Sequence, residues 1–169
     1  MALRKLLAIA TFAIGLCTAA AQAADSSGNA VEKDRMAIEA TLQRYVRALD
    51  ESDINAYLAT LTEDAKFVAT EGSYAGKAAI RNYVEPVMKS RIARREKEGA
   101  AATATHHVVS NLAFEFSDPD NVIVRAYWMF VVAHGTGKPM TIDIMGSEED
   151  YLTRQAGKWL IKERRVANP

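Results

Sequence analysis

Three side chains of this sequence combine acid–base chemistry with apolar surroundings. Asp50 follows Ile38, Leu42 and Val46 at four-residue steps, so a helix through this run carries its carboxylate on the apolar stripe. Tyr45 lies on the neighbouring part of the same stripe. Further along, between Thr103 and Phe116, His106 shares its parity with Leu112, Phe114 and Phe116, so one face of a strand carries all four. An inward carboxylate, imidazole and phenol are the parts of a proton-transfer site: a base, the group that orients it, and an acid or oxyanion donor. A structural reading of the same residues stays open, with Asp50 capping the following helix and Tyr45 and His106 as hydrogen-bonded core polars.

Other chemistries find less support. His106 and His107 are adjacent on the expected strand and point to opposite faces, which prevents them from sharing one metal ion, and His134 has no partner two or four residues away. Gly135-Thr136-Gly137-Lys138 falls short of the phosphate-binding pattern and sits between two strands, where it reads as a hairpin turn. No serine occupies a G-x-S-x-G elbow. The expectation is a site without metal or cofactor. The 21 basic and 21 acidic residues balance, which argues against the broad basic face that a nucleic-acid partner requires.

The N-terminus has the layout of an exported protein. Arg4 and Lys5 precede an apolar stretch from Leu6 to Cys17, and small residues then end on Ala21-Gln22-Ala23. This is the three-part pattern of a cleaved signal peptide over 1–23. The apolar run is shorter than the roughly 20 residues that a bilayer-spanning helix needs, so no stable membrane anchor is expected. Cleavage removes Arg4, Lys5 and the single Cys, leaving 19 basic against 21 acidic side chains and no thiol. The expected location is periplasmic or secreted, and disulfide or thiol chemistry is excluded there. Residues 24–33 are small and polar and read as a loose leader before a single domain over 34–167.

The elements that position the three side chains follow from the periodicity. An amphipathic helix is predicted over 34–50, and Asp53 is placed to cap a shorter one through Tyr57, Leu58 and Leu61. A short strand follows over 66–69, then a turn at 72–76 and a third helix over about 77–95, with Pro86 expected to kink or split it. The charged run 91–98 reads as a solvated helix end. The second half is a hairpin-connected sheet with strands near 103–116, 121–134, 139–154 and 159–166. The strand 121–134 is apolar on both faces, so its outer face is expected to be covered. Helices first and a sheet afterwards make an α+β domain.

Several of these stretches resemble the SnoaL-like, nuclear transport factor 2-like superfamily. They are the run Gln43-Arg44-Tyr45-Val46-Arg47-Ala48-Leu49-Asp50-Glu51-Ser52-Asp53, then Leu61-Thr62-Glu63-Asp64-Ala65-Lys66-Phe67, and Gly76-Lys77-Ala78-Ala79-Ile80 after Gly72. His106-His107-Val108-Val109-Ser110-Asn111 and the closing Gly157-Lys158-Trp159-Leu160-Ile161 with Arg164-Arg165-Val166 extend the likeness over about 34–167. The resemblance implies a cone-shaped α+β barrel, in which a strongly curved mixed sheet and three N-terminal helices enclose an apolar cavity. The superfamily includes ketosteroid isomerase, scytalone dehydratase, limonene epoxide hydrolase, polyketide cyclases and non-catalytic partners, so fold alone selects none of these activities.

Tyr45 stands where the isomerase has its oxyanion-hole tyrosine, whereas the isomerase's catalytic aspartate falls opposite Ala69. The set of Tyr45, Asp50 and His106 is closer to the dehydratase-like branch, with His106 rather than His107 at the matching position. Asp150 lies near the place of the isomerase's second acid. Arg165 shares parity with Trp159 and Ile161 and is placed at the cavity mouth. With Trp128 on the two-sided apolar strand, Asp150 and Arg165 are expected to bind substrate. The resulting expectation is a cofactor-independent lyase or isomerase acting on a small apolar or cyclic molecule. The alternative is a non-catalytic module that holds a hydrophobic ligand or forms a homodimer through the sheet face.

Overall fold

The sheet and its helices share one apolar interior, in which the apolar stripes of the helices meet the concave face of the sheet. In the computed structural model, residues 7–99, 104–135 and 137–167 are described, with side chains from residue 28 onward. The chain divides into two units, Met1–Ala37 and Ile38–Pro169. The side chains of the expected signal segment 1–23 lie outside the described residues, as does the whole of 1–6. Among the described residues no helix is long and apolar enough to cross a membrane.

Helix α1 spans Leu7–Glu51 and takes in residues 24–33. The segment contains no proline, although Asp25, Ser26, Ser27, Gly28 and Asn29 are all weak helix formers. Residues 28–37 are exposed apart from Asp34, and burial begins at Ile38.

From Ile38 onward α1 buries Ile38, Thr41, Leu42, Tyr45 and Ala48, the spacing of one helical face. Short α2 (Ile54–Ala59) follows, with Asp53 accepting from the N–H groups of Asn55 and Ala56 as its N-cap. Strand β1 (Leu61–Ala69) begins earlier than expected, and the expected turn at 72–76 contains a short strand, β2 (Gly72–Ala75). Helix α3 (Lys77–Glu98) runs through Pro86 without being split and buries Ile80, Val84 and Met88. Then come β3 (Thr105–Asp118), β4 (Asn121–Val132), β5 (Thr141–Gln155) and β6 (Lys158–Ala167).

The six strands form one sheet in the order β2-β1-β6-β5-β4-β3, parallel between β1 and β6 and antiparallel elsewhere. This curved mixed sheet, covered on its concave face by helices, is an α+β cone. The sheet contributes Val122, Val124, Leu152, Trp159 and Ile161 to the core that the helices cover. Complete burial of a side chain such as Ile38 or Leu152 stabilises the fold by about 1.5–3 kcal/mol. The Thr41 hydroxyl donates to the Trp159 carbonyl at 3.1 Å and ties α1 to β6.

Two irregularities in the sheet decide which side chains face inward. Between Ser110 and Ala113 the β3–β4 register gains one residue, with Asn111 at φ 57°. Between the pairs Tyr151–Glu163 and Leu152–Ile161 the β5–β6 register gains Lys162 in the same way. Each is a β-bulge, and each reverses the in–out alternation of the strand beyond it.

Candidate active site

The C-terminus of α1 brings a carboxylate to the edge strand β3. Ser52 leaves the helix at φ 61°, and the Asp53 N–H donates to the Ala48 carbonyl at 2.8 Å, closing the last turn. Two arginines of α3 hold that end: Arg91 donates to the Leu49 carbonyl at 3.3 Å and Arg95 to the Asp50 carbonyl at 3.2 Å. Cations suit a helix C-terminus, so this part of the charged run 91–98 grips α1 rather than standing solvated.

Because Asp53 supplies the cap of α2, the Asp50 side chain is released for another role. Its two oxygens each accept from the His107 backbone N–H at 3.1 Å, and Oδ1 lies 2.6 Å from His107 Nδ1. An ionised carboxylate only accepts, so Nδ1 carries the proton, and in the neutral ring Nε2 is then the nitrogen with the lone pair. The His107 ring packs 4.8 Å from the Phe130 ring, which fixes its plane. Both members of the pair are about one-sixth exposed, enough for a ligand to reach them.

This corrects the choice of His106. Its side chain is 58% exposed and comes no closer than 3.9 Å to Asp50. The bulge at Asn111 is the cause: parity counted back from Leu112, Phe114 and Phe116 fails on crossing it, and the inward positions become Thr105, His107 and Val109.

His107 also lines a cavity of about 240 Å³ between the helices and the concave sheet, together with Tyr45, Tyr83, Trp128, Glu148 and Arg164. Ala69 is part of the same wall. A wider groove of about 720 Å³ shares Val46, His107 and Val109 with the cavity and includes Asp50. The His107–Asp50 pair therefore stands where groove and cavity have a common wall.

The cavity's second polar group is buried. Arg164 Nη1 donates to both oxygens of Asp150, at 3.0 and 2.7 Å, and its Nη2 donates to Glu148 Oε2. Its guanidinium carbon lies 4.4 Å from the centre of the Tyr45 ring, and the Tyr45 and Tyr57 hydroxyls are hydrogen-bonded at 2.8 Å. Burial pushes the Asp150 carboxyl up to about 7, which Arg164 opposes and the charge on Glu148 assists. Burial works against the charge on Arg164, but Asp150 and Glu148 outweigh it and its pKa is raised. Burial likewise raises both phenols. One guanidinium facing two carboxyls leaves an excess negative charge, which protonation of Asp150 relieves.

Trp128 and Tyr45 take up the expected places on the cavity wall. Tyr45 is bonded to Tyr57 rather than to the histidine pair. Asp150 is fully buried with both oxygens engaged by Arg164, so Glu148, two residues earlier on the same face, is the acid that lines the cavity. Arg165 lies outside: half exposed, it donates to Glu163 at 2.6 Å and approaches Glu149 at 3.7 Å. The bulge at Lys162 puts Arg164 in its place, just as the bulge at Asn111 exchanges the two histidines. His107, Glu148 and Arg164 are the residues that sequence reasoning missed. The available signal was the pair of acids at strand spacing, Glu148 and Asp150, within reach of an arginine on the neighbouring strand.

The geometry has relatives. A family model described as SnoaL-like domain matches residues 32–165. Among curated proteins, none matches. Of solved structures, Rv3472 from Mycobacterium tuberculosis, described as of unknown function, is 25% identical and aligns over 80% of this chain and 72% of its own with a TM-score of 0.65. A candidate scytalone dehydratase from Novosphingobium aromaticivorans is 20% identical over 84% of this chain and 88% of its own, with a TM-score of 0.67. LinA is 18% identical over 85% and 90%, also with a TM-score of 0.67.

Proposed function

The chain belongs to the SnoaL-like family, and from that premise we propose that it is a cofactor-independent lyase or isomerase, dehydratase-like, acting on a small apolar or cyclic molecule. The observation that carries this reading is the 2.6 Å contact between His107 Nδ1 and Asp50 Oδ1 on the cavity wall. With Nδ1 held by the carboxylate, Nε2 takes a proton from a carbon beside a polar group of the substrate, and Asp50 stabilises the imidazolium that forms. Phe130 and the half-buried setting keep the ring in one orientation. The charge that develops on the substrate falls within the cavity, whose lining includes Tyr45, a phenol that can donate to it when its own oxygen accepts from Tyr57. The likeness of the fold to a candidate scytalone dehydratase and to LinA is compatible with this class and names no substrate.

The test is proton transfer itself. Small cyclic ketones and β-hydroxy ketones incubated with the protein in D₂O are followed by NMR for deuterium uptake or loss of water. His107→Ala and Asp50→Asn are expected to lower the exchange by about a hundredfold or more while the protein stays folded. Exchange undiminished in His107→Ala ends the proposal.

A second reading has its own observation. Val108, Tyr127, Ile142 and Met145 are exposed apolar side chains on the outer face of β3, β4 and β5, where the register sets them beside one another. A second copy of the chain covering this face makes a homodimer, and a binding module without catalysis needs no more than the cavity. Sedimentation at micromolar concentration tests it: Tyr127→Lys is expected to produce a monomer. Export rests on the N-terminal layout, and the mature N-terminus of the cell-expressed protein, expected at Ala24, tests it.

A further inference from the structure

Among the described residues, two buried polar atoms of the cavity's lining residues have no hydrogen-bond partner: Trp128 Nε1 and Glu148 Oε1. Buried polar atoms are nearly always paired, so each such atom requires an explanation. The two residues lie on adjacent strands and on the same concave face. Trp128 is opposite Gly146 and Glu148 is opposite Ala126, which makes them diagonal neighbours. Such diagonal neighbours stand about 7–8 Å apart, within the reach of long side chains.

Both side chains are held in place. Arg164 takes Glu148 Oε2, so the carboxylate is anchored with its other oxygen left over. The Trp128 indole rests over Gly146, where an added Cβ falls 2.9 Å from Nε1 and 2.1 Å from the Ala167 carbonyl oxygen. Glycine at this position is therefore what gives the indole N–H its room. An indole N–H donates only and a carboxylate oxygen accepts only. A ketone satisfies the indole but brings a lone pair against the carboxylate, an ammonium group cannot accept from the indole, and a hydrocarbon satisfies neither. A hydroxyl satisfies both.

We propose that Trp128 and Glu148 form a hydroxyl-binding floor, the ligand's O–H accepting from the indole and donating to the carboxylate, so that the substrate class is a hydroxylated small cyclic molecule. This rests on the cavity being the substrate site of the function proposed above, and it names the group that orients the substrate beneath His107.

The test uses the full chain and three probes: cyclohexanol, cyclohexanone and methylcyclohexane. Binding is followed through the indole N–H resonances of the two tryptophans, with Trp128→Phe assigning the signal. Cyclohexanol is expected to shift the Trp128 resonance and to bind about tenfold or more tightly than cyclohexanone, as a charge-assisted hydrogen bond warrants. Glu148→Gln turns the free acceptor into a donor, so it is expected to reverse that order. Trp128→Phe is expected to bring cyclohexanone to the level of methylcyclohexane, and it decides the matter if Glu148→Gln does not fold. Equal binding of alcohol and ketone, no binding of cyclohexanol, or an order unchanged in Glu148→Gln overturns the proposal. His107→Ala is expected to keep the wild-type order. A preserved order alongside proton exchange that is insensitive to His107 therefore discards the catalytic reading and leaves the hydroxyl floor standing.

Discussion

His107–Asp50 and Arg164–Glu148–Asp150 are both hydrogen-bonded groups built around carboxylates, but they stand in opposite environments. The histidine pair is half-buried, and its carboxylate also accepts a backbone N–H, so it is satisfied without losing access. The arginine group is buried: the side chains of Arg164, Glu148 and Asp150 are exposed by 8, 1 and 1%, two aromatic hydroxyls lie beside it, and its Glu148 Oε1 is left without a partner. The difference separates a cluster open to proton transfer from one that holds the cavity wall, and the Glu148 carboxylate on it, in a fixed place. The open pair retains a ring nitrogen for a ligand. In the closed group the arginine is locked, and one carboxyl is near the point of taking up a proton.

The largest expected effect comes from breaking the closed group. Arg164→Met leaves two buried carboxylates unpaired and is expected to lower stability in a urea titration by about 3–5 kcal/mol. A loss below about 1 kcal/mol, the range of exposed pairs, makes the two clusters equivalent and dissolves the contrast. Breaking the open pair acts on function instead. His107→Ala is expected to lower proton exchange by a factor of about 10²–10⁴, with a urea midpoint close to that of the wild type.

The bulge that presents His107 is the next point to break. Asn111→Val puts a β-branched residue at φ 57°, where the left-handed conformation costs about 1–2 kcal/mol, and thermal unfolding should register it. Asn111→Gly is expected to be tolerated. A smaller effect separates the clusters by pH. The Asp150 carboxyl titrates near 4 when unfolded and near 7 when folded, so between these values only the folded state holds the proton. Its contribution is complete below about pH 4 and drains away as the pH rises to about 7. Asp150→Asn cannot lose a proton and is expected to show a flatter stability profile across this range. The smallest effect belongs to Arg165→Ala, expected to leave both stability and exchange unchanged because that side chain lies on the outer face.

The elements were largely legible because periodicity reports burial directly. The apolar stripe of α1, the Asp53 cap and the hairpin turns all appear in the chain order expected. Where elements differ, a tertiary contact accounts for it in one case: β1 starts at Leu61 because that residue pairs with Ile161 of β6, a parallel pairing with no local sequence signal. The inward side chains of the candidate site were legible where the chain is regular and not where it bulges. Asp50, Tyr45 and Trp128 were placed correctly, since a helix face and an undisturbed strand keep their periods. His106 and Arg165 were each misplaced by one residue, because each was judged by parity across a bulge. Counting in twos holds only while the ladder is regular, and one inserted residue sends every later side chain to the other face.

By itself, then, the sequence determined an α+β domain and a shortlist of polar residues on apolar faces, because helical and strand periods are local properties of the chain. Only the tertiary structure decided that His107 rather than His106 meets Asp50, and that Arg164 rather than Arg165 lies beneath Tyr45. Those choices turn on bulges whose positions are set by pairing with β4 and β5, strands distant in sequence from the residues they reorient.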